Sequence, residues 1–179
     1  MASINIAGDT SGSISLTVPS VAGTNTVTIP ANSGVVMVSG NMPAFSAYSN
    51  NTQNVSSNVL TKIAINTKVF DTNTNFDATT NYRFTPTVAG YYQVNGALNF
   101  SVSSGQSAAT IVVYKNGSAV NYGNYVTGSY AAILNISLIL YLNGSTDYIE
   151  IYGQLGGTGP QFIAGSNATY FQAAMIRGS

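Results

Sequence analysis

Apolar and polar residues alternate with a period of two over much of this chain. Tyr92, Val94, Leu98, Phe100 and Val102 are apolar with polar or small residues between them, which predicts a strand with one face built for burial. Pro86 and Gly90 lie just ahead and set where that strand begins. Residues 60–70 alternate as well, with Ile63, Ile65 and Val69 on one face and Lys62, Asn66 and Lys68 on the other. In residues 133–142, Leu134, Ile136, Leu138, Leu140 and Leu142 share one face. The opposite face carries Ile133, Ile139 and Tyr141 beside Asn135 and Ser137, so this strand has a second surface to cover. The last predicted strand, Thr169 to Arg177, places Phe171 and Met175 opposite Tyr170, Ala174 and Ile176.

Turn signals separate these segments. Lys115-Asn116-Gly117-Ser118 divides a strand at 109–114 from one at 119–126, and Asn143-Gly144 divides the leucine-rich strand from one at 148–152. Asn-Gly supplies the positive φ angles of a two-residue hairpin. Short strands at this spacing predict an all-β sandwich over residues 43–179. The first 42 residues hold a quasi-repeat, Leu16-Thr17-Val18-Pro19 and Val27-Thr28-Ile29-Pro30, joined through Gly23-Thr24-Asn25, then a third segment at Val35 to Val38. These read as hairpin-like strands with too few large side chains for a core of their own. They predict an extended N-terminal β-hairpin arm.

Composition narrows the function. The chain of 179 residues is 45% hydrophobic, but only 6% of it is charged, with five cations balancing five anions. An uncharged polar surface favours packing of copies without desolvating many ions. The absence of a basic stripe argues against nucleic acid. There is no Cys, His or Trp, which removes thiolate metal sites and the commonest general base. Residues 1–25 lack the pattern of a secretory signal, and the apolar run from Ala131 to Leu142 is too short to span a bilayer. We therefore expect no membrane partner and no cofactor.

The catalytic inventory is thin, and no catalytic residue is assigned. Asp147 and Glu150 lie three apart on a predicted strand and so point to opposite faces, a poor acid–base pair. They read as a turn Asp followed by a solvent-facing Glu. Asp71-Thr72-Asn73-Thr74-Asn75-Phe76-Asp77 spaces oxygen ligands as a calcium loop does, yet Phe76 stands where an EF-hand needs Gly and Tyr82 where it needs Glu. Caps on turn amides are the expected role, and no metal site is assigned. Tyrosines are abundant, and Tyr91 and Tyr141, each opposite its strand's main apolar face, are the candidates for a subunit interface.

Residues 43–179 resemble the globular head of complement component one q and its tumour-necrosis-factor-like relatives. The matching pieces occur in order. Met42-Pro43-Ala44-Phe45-Ser46-Ala47-Tyr48 resembles the opening strand, and Val69-Phe70-Asp71 with Asn75-Phe76-Asp77 resembles the next strand and loop. Phe84, Pro86, Gly90, Tyr91 and Tyr92 match the central signature, and Ile111 to Gly117 resembles the strand ending in Lys-Asn-Gly. Leu142 to Asp147 resembles the Leu-x-x-Gly-Asp turn with an insertion. Thr169-Tyr170-Phe171 resembles the closing strand, although Ala173 stands where Gly is usual. The resemblance implies a jelly-roll β-sandwich that is trimeric and non-enzymatic. No collagen-like stalk precedes it.

Leu16 to Pro30, ending in Ser33-Gly34-Val35-Val36, resembles a segment of bacteriophage virion proteins. Together the two resemblances imply residues 1–42 as an arm for virion attachment and 43–179 as the jelly-roll domain. The implied function is a homotrimeric capsid decoration or cement protein. Its arm residues Leu16, Val18, Val27 and Ile29 would contact the phage major capsid protein or another virion protein. Its location would be the virion, assembled in the bacterial host cytoplasm. The alternative is the receptor-binding tip of a tail fibre, which adheres to the host.

Overall fold

In the computed structural model, which describes residues 3–21, 23–26, 31 and 36–179, strands account for nearly all regular structure. The chain divides into two units, Met1–Gly34 and Val35–Ser179.

In the first unit, β1 (Ser3–Ala7) and β2 (Ser13–Thr17) pair antiparallel, with Ile4 opposite Leu16 and Ile6 opposite Ile14. A bond from the Gly8 amide to the Gly12 carbonyl, 3.0 Å long, closes the turn. The described strands thus lie earlier than the quasi-repeat predicts. Val18 follows β2, and Val27 and Ile29 lie outside the described residues. The third predicted segment forms no strand over Val36–Val38. There the chain, now in the second unit, enters a 3-10 turn at Ser39–Asn41, and Asn41 Oδ1 accepts the Val38 amide at 2.8 Å. That local bond offers the backbone an alternative to a ladder.

The second unit begins with β3 (Ala44–Tyr48), β4 (Gln53–Asn54), β5 (Thr61–Lys62), β6 (Thr67–Asp71), β7 (Phe76–Asp77) and β8 (Arg83–Phe84). It continues through β9 (Ala89–Ser101), β10 (Ala109–Lys115), β11 (Ser118–Val126) and β12 (Ala131–Asn143). β13 (Ile149–Leu155), β14 (Gln161–Phe162) and β15 (Tyr170–Gly178) complete it. One sheet runs β11-β10-β13-β8-β7, with β5 also on β13. The other runs β4-β14-β9-β15-β3-β6, with β12 on the opposite edge of β9. β9 and β12 stay in register from Ala89↔Asn143 to Ser101↔Ala131. This arrangement of two antiparallel sheets is the jelly roll.

The core lies between the sheets. Tyr92, Val94, Leu98 and Phe100 from β9 are fully buried, as are Leu134 and Leu142 from β12. Phe45 stacks on Phe76 at 4.4 Å and on Phe84 at 4.6 Å, while Phe171 meets Phe45 edge-on at 5.3 Å. These four rings come from four strands of both sheets and tie the layers together. Gly153 faces the Phe162 ring so closely that no Cβ fits there.

Two predicted patterns differ in structure. The alternation across 60–70 breaks after β5, where the Ile65 amide bonds the Ile63 carbonyl at 3.0 Å. Ile63 and Ile65 are buried, but Val69 falls in a register shift between β3 and β6 and faces solvent. A bulge turns its side chain to the other face. The Asn143-Gly144 turn is not a two-residue hairpin either. β12 pairs with β9 and β13 with β10, so the chain crosses from one sheet to the other there. Asn116-Gly117 does form the predicted hairpin, with φ of 53° and 78°.

Candidate functional site

The outward face of the β9–β12 sheet carries both residues predicted for a subunit interface, Tyr91 and Tyr141. Every second residue of β9 and β12 points away from the core, and neither strand carries a charged residue. Tyr91 and Tyr141 are opposite each other in the ladder and are 44% and 41% exposed. Their rings meet edge-on, with centroids 5.6 Å apart. The structure therefore brings together the two residues predicted for a subunit contact. Exposed Ile139 and Ile176 belong to the same sheet, on β12 and β15.

Beyond the aromatic pair the face becomes amide-rich. Gln93 Nε2 donates to Ser137 Oγ at 2.9 Å and to Asn95 Oδ1 at 3.2 Å, and Ser137 Oγ donates to Asn95 Oδ1 at 2.8 Å. A shallow, open depression of about 400 Å³ lies over this network, lined by Asn95, Asn135, Ser137, Tyr170 and Gln172. Its polar lining is made of amide and hydroxyl side chains, which offer hydrogen-bonding surface.

The charged residues of the second unit are mostly in structural roles on the other sheet. Lys62 Nζ meets Glu150 Oε1 at 2.5 Å, and the Arg83 guanidinium lies 4.5 Å from the Tyr148 ring centroid. Glu150 is only 3% exposed, so the expected solvent-facing Glu is a buried, paired one. Its strand position turns the carboxylate toward Lys62 on the neighbouring β5. Asp147 also is buried, and accepts from Lys115 Nζ at 2.8 Å, Asn116 Nδ2 at 2.7 Å and the Asn143 amide at 3.0 Å. Burial pushes its carboxyl up, but Lys115 and the two amide donors outweigh that and hold it below the usual range.

The Asp71–Asp77 loop caps itself. Asp71 accepts the amides of Asn75 at 2.9 Å and Phe76 at 3.0 Å, and also meets Lys68 Nζ at 3.0 Å. Asp77 accepts the amides of Thr79, Thr80 and Asn81 at 2.9–3.0 Å. The Thr80 and Thr79 amides hold the Asp77 carboxyl well below its usual range, against a smaller opposing effect of burial. Among the described residues no group of three His, Cys, Asp or Glu side chains could hold a metal ion.

The predicted arm contacts are only partly described. Leu16 lies on β2 and Val18 just beyond it, both exposed. Val27 and Ile29 lie outside the described residues. Sequence reasoning missed Ile4, Ile6 and Ile14, which share one face of the hairpin with Leu16. The signal was present in the alternation of Ser3-Ile4-Asn5-Ile6 and Ser13-Ile14-Ser15-Leu16 around a Gly-flanked turn.

By sequence, no protein-family model and no curated protein matches the chain. Its fold is similar to solved structures. Murine APRIL superposes with a TM-score of 0.56 at 9% identity, covering 75% of this chain and 99% of APRIL. Eiger TNF from S. frugiperda superposes with a TM-score of 0.59 at 7% identity, covering 77% of this chain and 93% of that one. At such identity the likeness establishes the fold, a tumour-necrosis-factor-type jelly roll.

These likenesses correct the expected identity. The solved structures named above are tumour-necrosis-factor-type proteins of mouse and S. frugiperda, and none of them is a bacteriophage virion protein. The capsid decoration role, the tail-fibre alternative, the phage capsid partner and the virion location all rested on the N-terminal resemblance, and they fall with it. That resemblance lay in a short run of Thr, Val, Ser and Pro, a composition many exposed β-segments share.

Proposed function

We propose that this chain is a non-enzymatic binding module that works as a homotrimer, with the jelly roll as its association domain. The observation that carries this reading is the outward face of β9 and β12. It is uncharged and bears Tyr91, Tyr141 and Ile139, all exposed. Aromatic and aliphatic side chains projecting from two uncharged strands suit burial against another copy of the chain. Charge borders these two strands at one end, where Lys115 Nζ donates to the Tyr141 carbonyl and Arg177 on β15 pairs with Tyr91, while the Lys62–Glu150 pair belongs to the opposite sheet. The fold likeness to Eiger TNF and APRIL supports a ligand-type role by analogy of fold alone. Residues 43–179 would supply the association domain and residues 1–42 an appended arm. Exposed Tyr122 and Tyr125 on the edge strand β11 would then offer an uncharged recognition surface to a partner protein.

Light scattering on the purified chain tests this directly. The expected particle mass is three times 18.6 kDa, and Tyr91→Ser with Ile139→Ser shifts it toward the single chain without unfolding it. A monomeric wild-type chain at ~100 μM, well above the dissociation constants of stable oligomers, refutes the reading.

A further inference from the structure

The N-terminal hairpin presents an apolar face that no described residue of its own unit covers. Ile4, Ile6, Ile14 and Leu16 lie on one side of β1 and β2 as two cross-strand pairs, each between 55% and 68% exposed. The reverse side is small and polar, with Asn5, Ser13, Ser15 and Thr17, and Ser15 Oγ donates to Asn5 Oδ1. A hairpin of two strands is marginal in water unless its apolar face is covered. Strict alternation on both strands, with all four large aliphatic residues on one side, is the pattern of a surface that is buried.

We infer that this face is covered by the same face of other copies of the chain, so that hairpins pack apolar side to apolar side within one assembly. Two observations favour a second copy over a foreign partner. No charged residue lies on β1 or β2, so identical faces can converge around a symmetry axis without repulsion. The patch is also small: five residues at ~3.4 Å and two strands wide give on the order of 200 Å², against ~800 Å² per partner in a stable interface. A patch of that size holds a contact only where another interaction supplies a high local concentration. The inference therefore rests on the trimer proposed above, which would bring several hairpins together.

The chain contains no Cys, so single cysteines report proximity cleanly. Ile6→Cys places a thiol on the apolar face, and Ala7→Cys places one on the reverse face one residue away. Mild oxidation of the full chain, at a concentration where light scattering confirms trimers, is expected to link Ile6→Cys chains in pairs at least about fivefold faster than Ala7→Cys chains, because a disulfide needs Cβ atoms within ~4.5 Å. A second variant, Ile4→Asn with Ile14→Asn, is expected to abolish linkage of Ile6→Cys while the trimer mass stays unchanged. Trimers in which both cysteines link equally, or neither links, overturn the hairpin contact and leave the jelly-roll trimer standing. A wild-type chain that is monomeric overturns both.

Discussion

Tyr91 and Tyr141 oppose one another on the outer side of the β9–β12 ladder, their rings at 61° and their centroids 5.6 Å apart. Next to them Lys115 Nζ donates to the Tyr141 carbonyl at 2.8 Å and lies 6.0 Å from its ring centroid. This end of the sheet thus holds an aromatic pair in a fixed geometry while leaving nearly half of each ring open to solvent.

The pair itself contributes to stability, apart from any assembly. Edge-on aromatic pairs contribute ~0.5–1.5 kcal/mol beyond area burial. A double-mutant cycle of Tyr91→Ala and Tyr141→Ala, read by urea unfolding under dilute, monomeric conditions, is expected to give a coupling of about 1 kcal/mol. A coupling near zero would mean that the ring contact is incidental.

Breaking the Lys62–Glu150 pair is costly, because the Glu150 carboxylate is left buried. Lys62→Met is expected to destabilise the fold by about 3 kcal/mol, the low end of the range for buried pairs, since the Lys62 side chain stays a third exposed. Lys62→Met combined with Glu150→Gln is expected to recover most of that loss. Denaturant midpoints of the two variants decide the matter.

Acid lowers stability through Asp77 and Asp147. Both have folded-state pKa values below the ordinary carboxylate range, so each stabilises the fold above the unfolded pKa of about 4 and loses that contribution as pH falls toward the lower folded value. The thermal midpoint is expected to drop steadily below about pH 4. Asp147→Asn should have a lower midpoint at neutral pH and a flatter acid limb; an unchanged limb in that variant would show that Asp147 is not linked.

Asn116 holds two segments together. Its Nδ2 donates to Asp147 at 2.7 Å and its Oδ1 accepts the Tyr148 amide at 2.9 Å, while its own backbone sits at φ 53°. Asn116→Ala removes both bonds and strains the turn, with an expected loss of about 2–3 kcal/mol in chemical unfolding. Asn116→Gly relieves the strain but not the bonds, and so should fall between that variant and the wild type.

Calcium is expected to leave the protein unchanged. The oxygens of Asp71 and Asp77 already accept the loop's own amides, so an ion would have to displace those bonds. Millimolar calcium or a chelator should move the thermal midpoint by less than about 1 °C, whereas a ligand at 100 times its dissociation constant would add ~2.7 kcal/mol.

The long strands were legible because each meets only one demand. β9, β12 and β15 bury one face against the opposite sheet, and their alternation survives intact from Tyr92 to Phe100, from Leu134 to Leu142 and at Phe171 and Met175. The short ones were not. Ile63 and Ile65 are held by a local turn and Val69 by a bulge, both of which depend on where β13 and β3 happen to lie. The site was half legible: period two placed Tyr91 and Tyr141 on outer faces, but pairing them needed the register of two strands some fifty residues apart.

By itself the sequence determined which side chains are greasy, which alternate, and that ionic and thiol chemistry is scarce, because those properties belong to single residues and their immediate spacing. Tertiary structure decided which strands became neighbours, since pairing is a long-range choice made by the whole core. It turned Asn143-Gly144 into a crossover while Asn116-Gly117 stayed a hairpin. It drew Glu150 inward to Lys62, and it set Ile4 opposite Leu16 and Ile6 opposite Ile14 on one face of the hairpin.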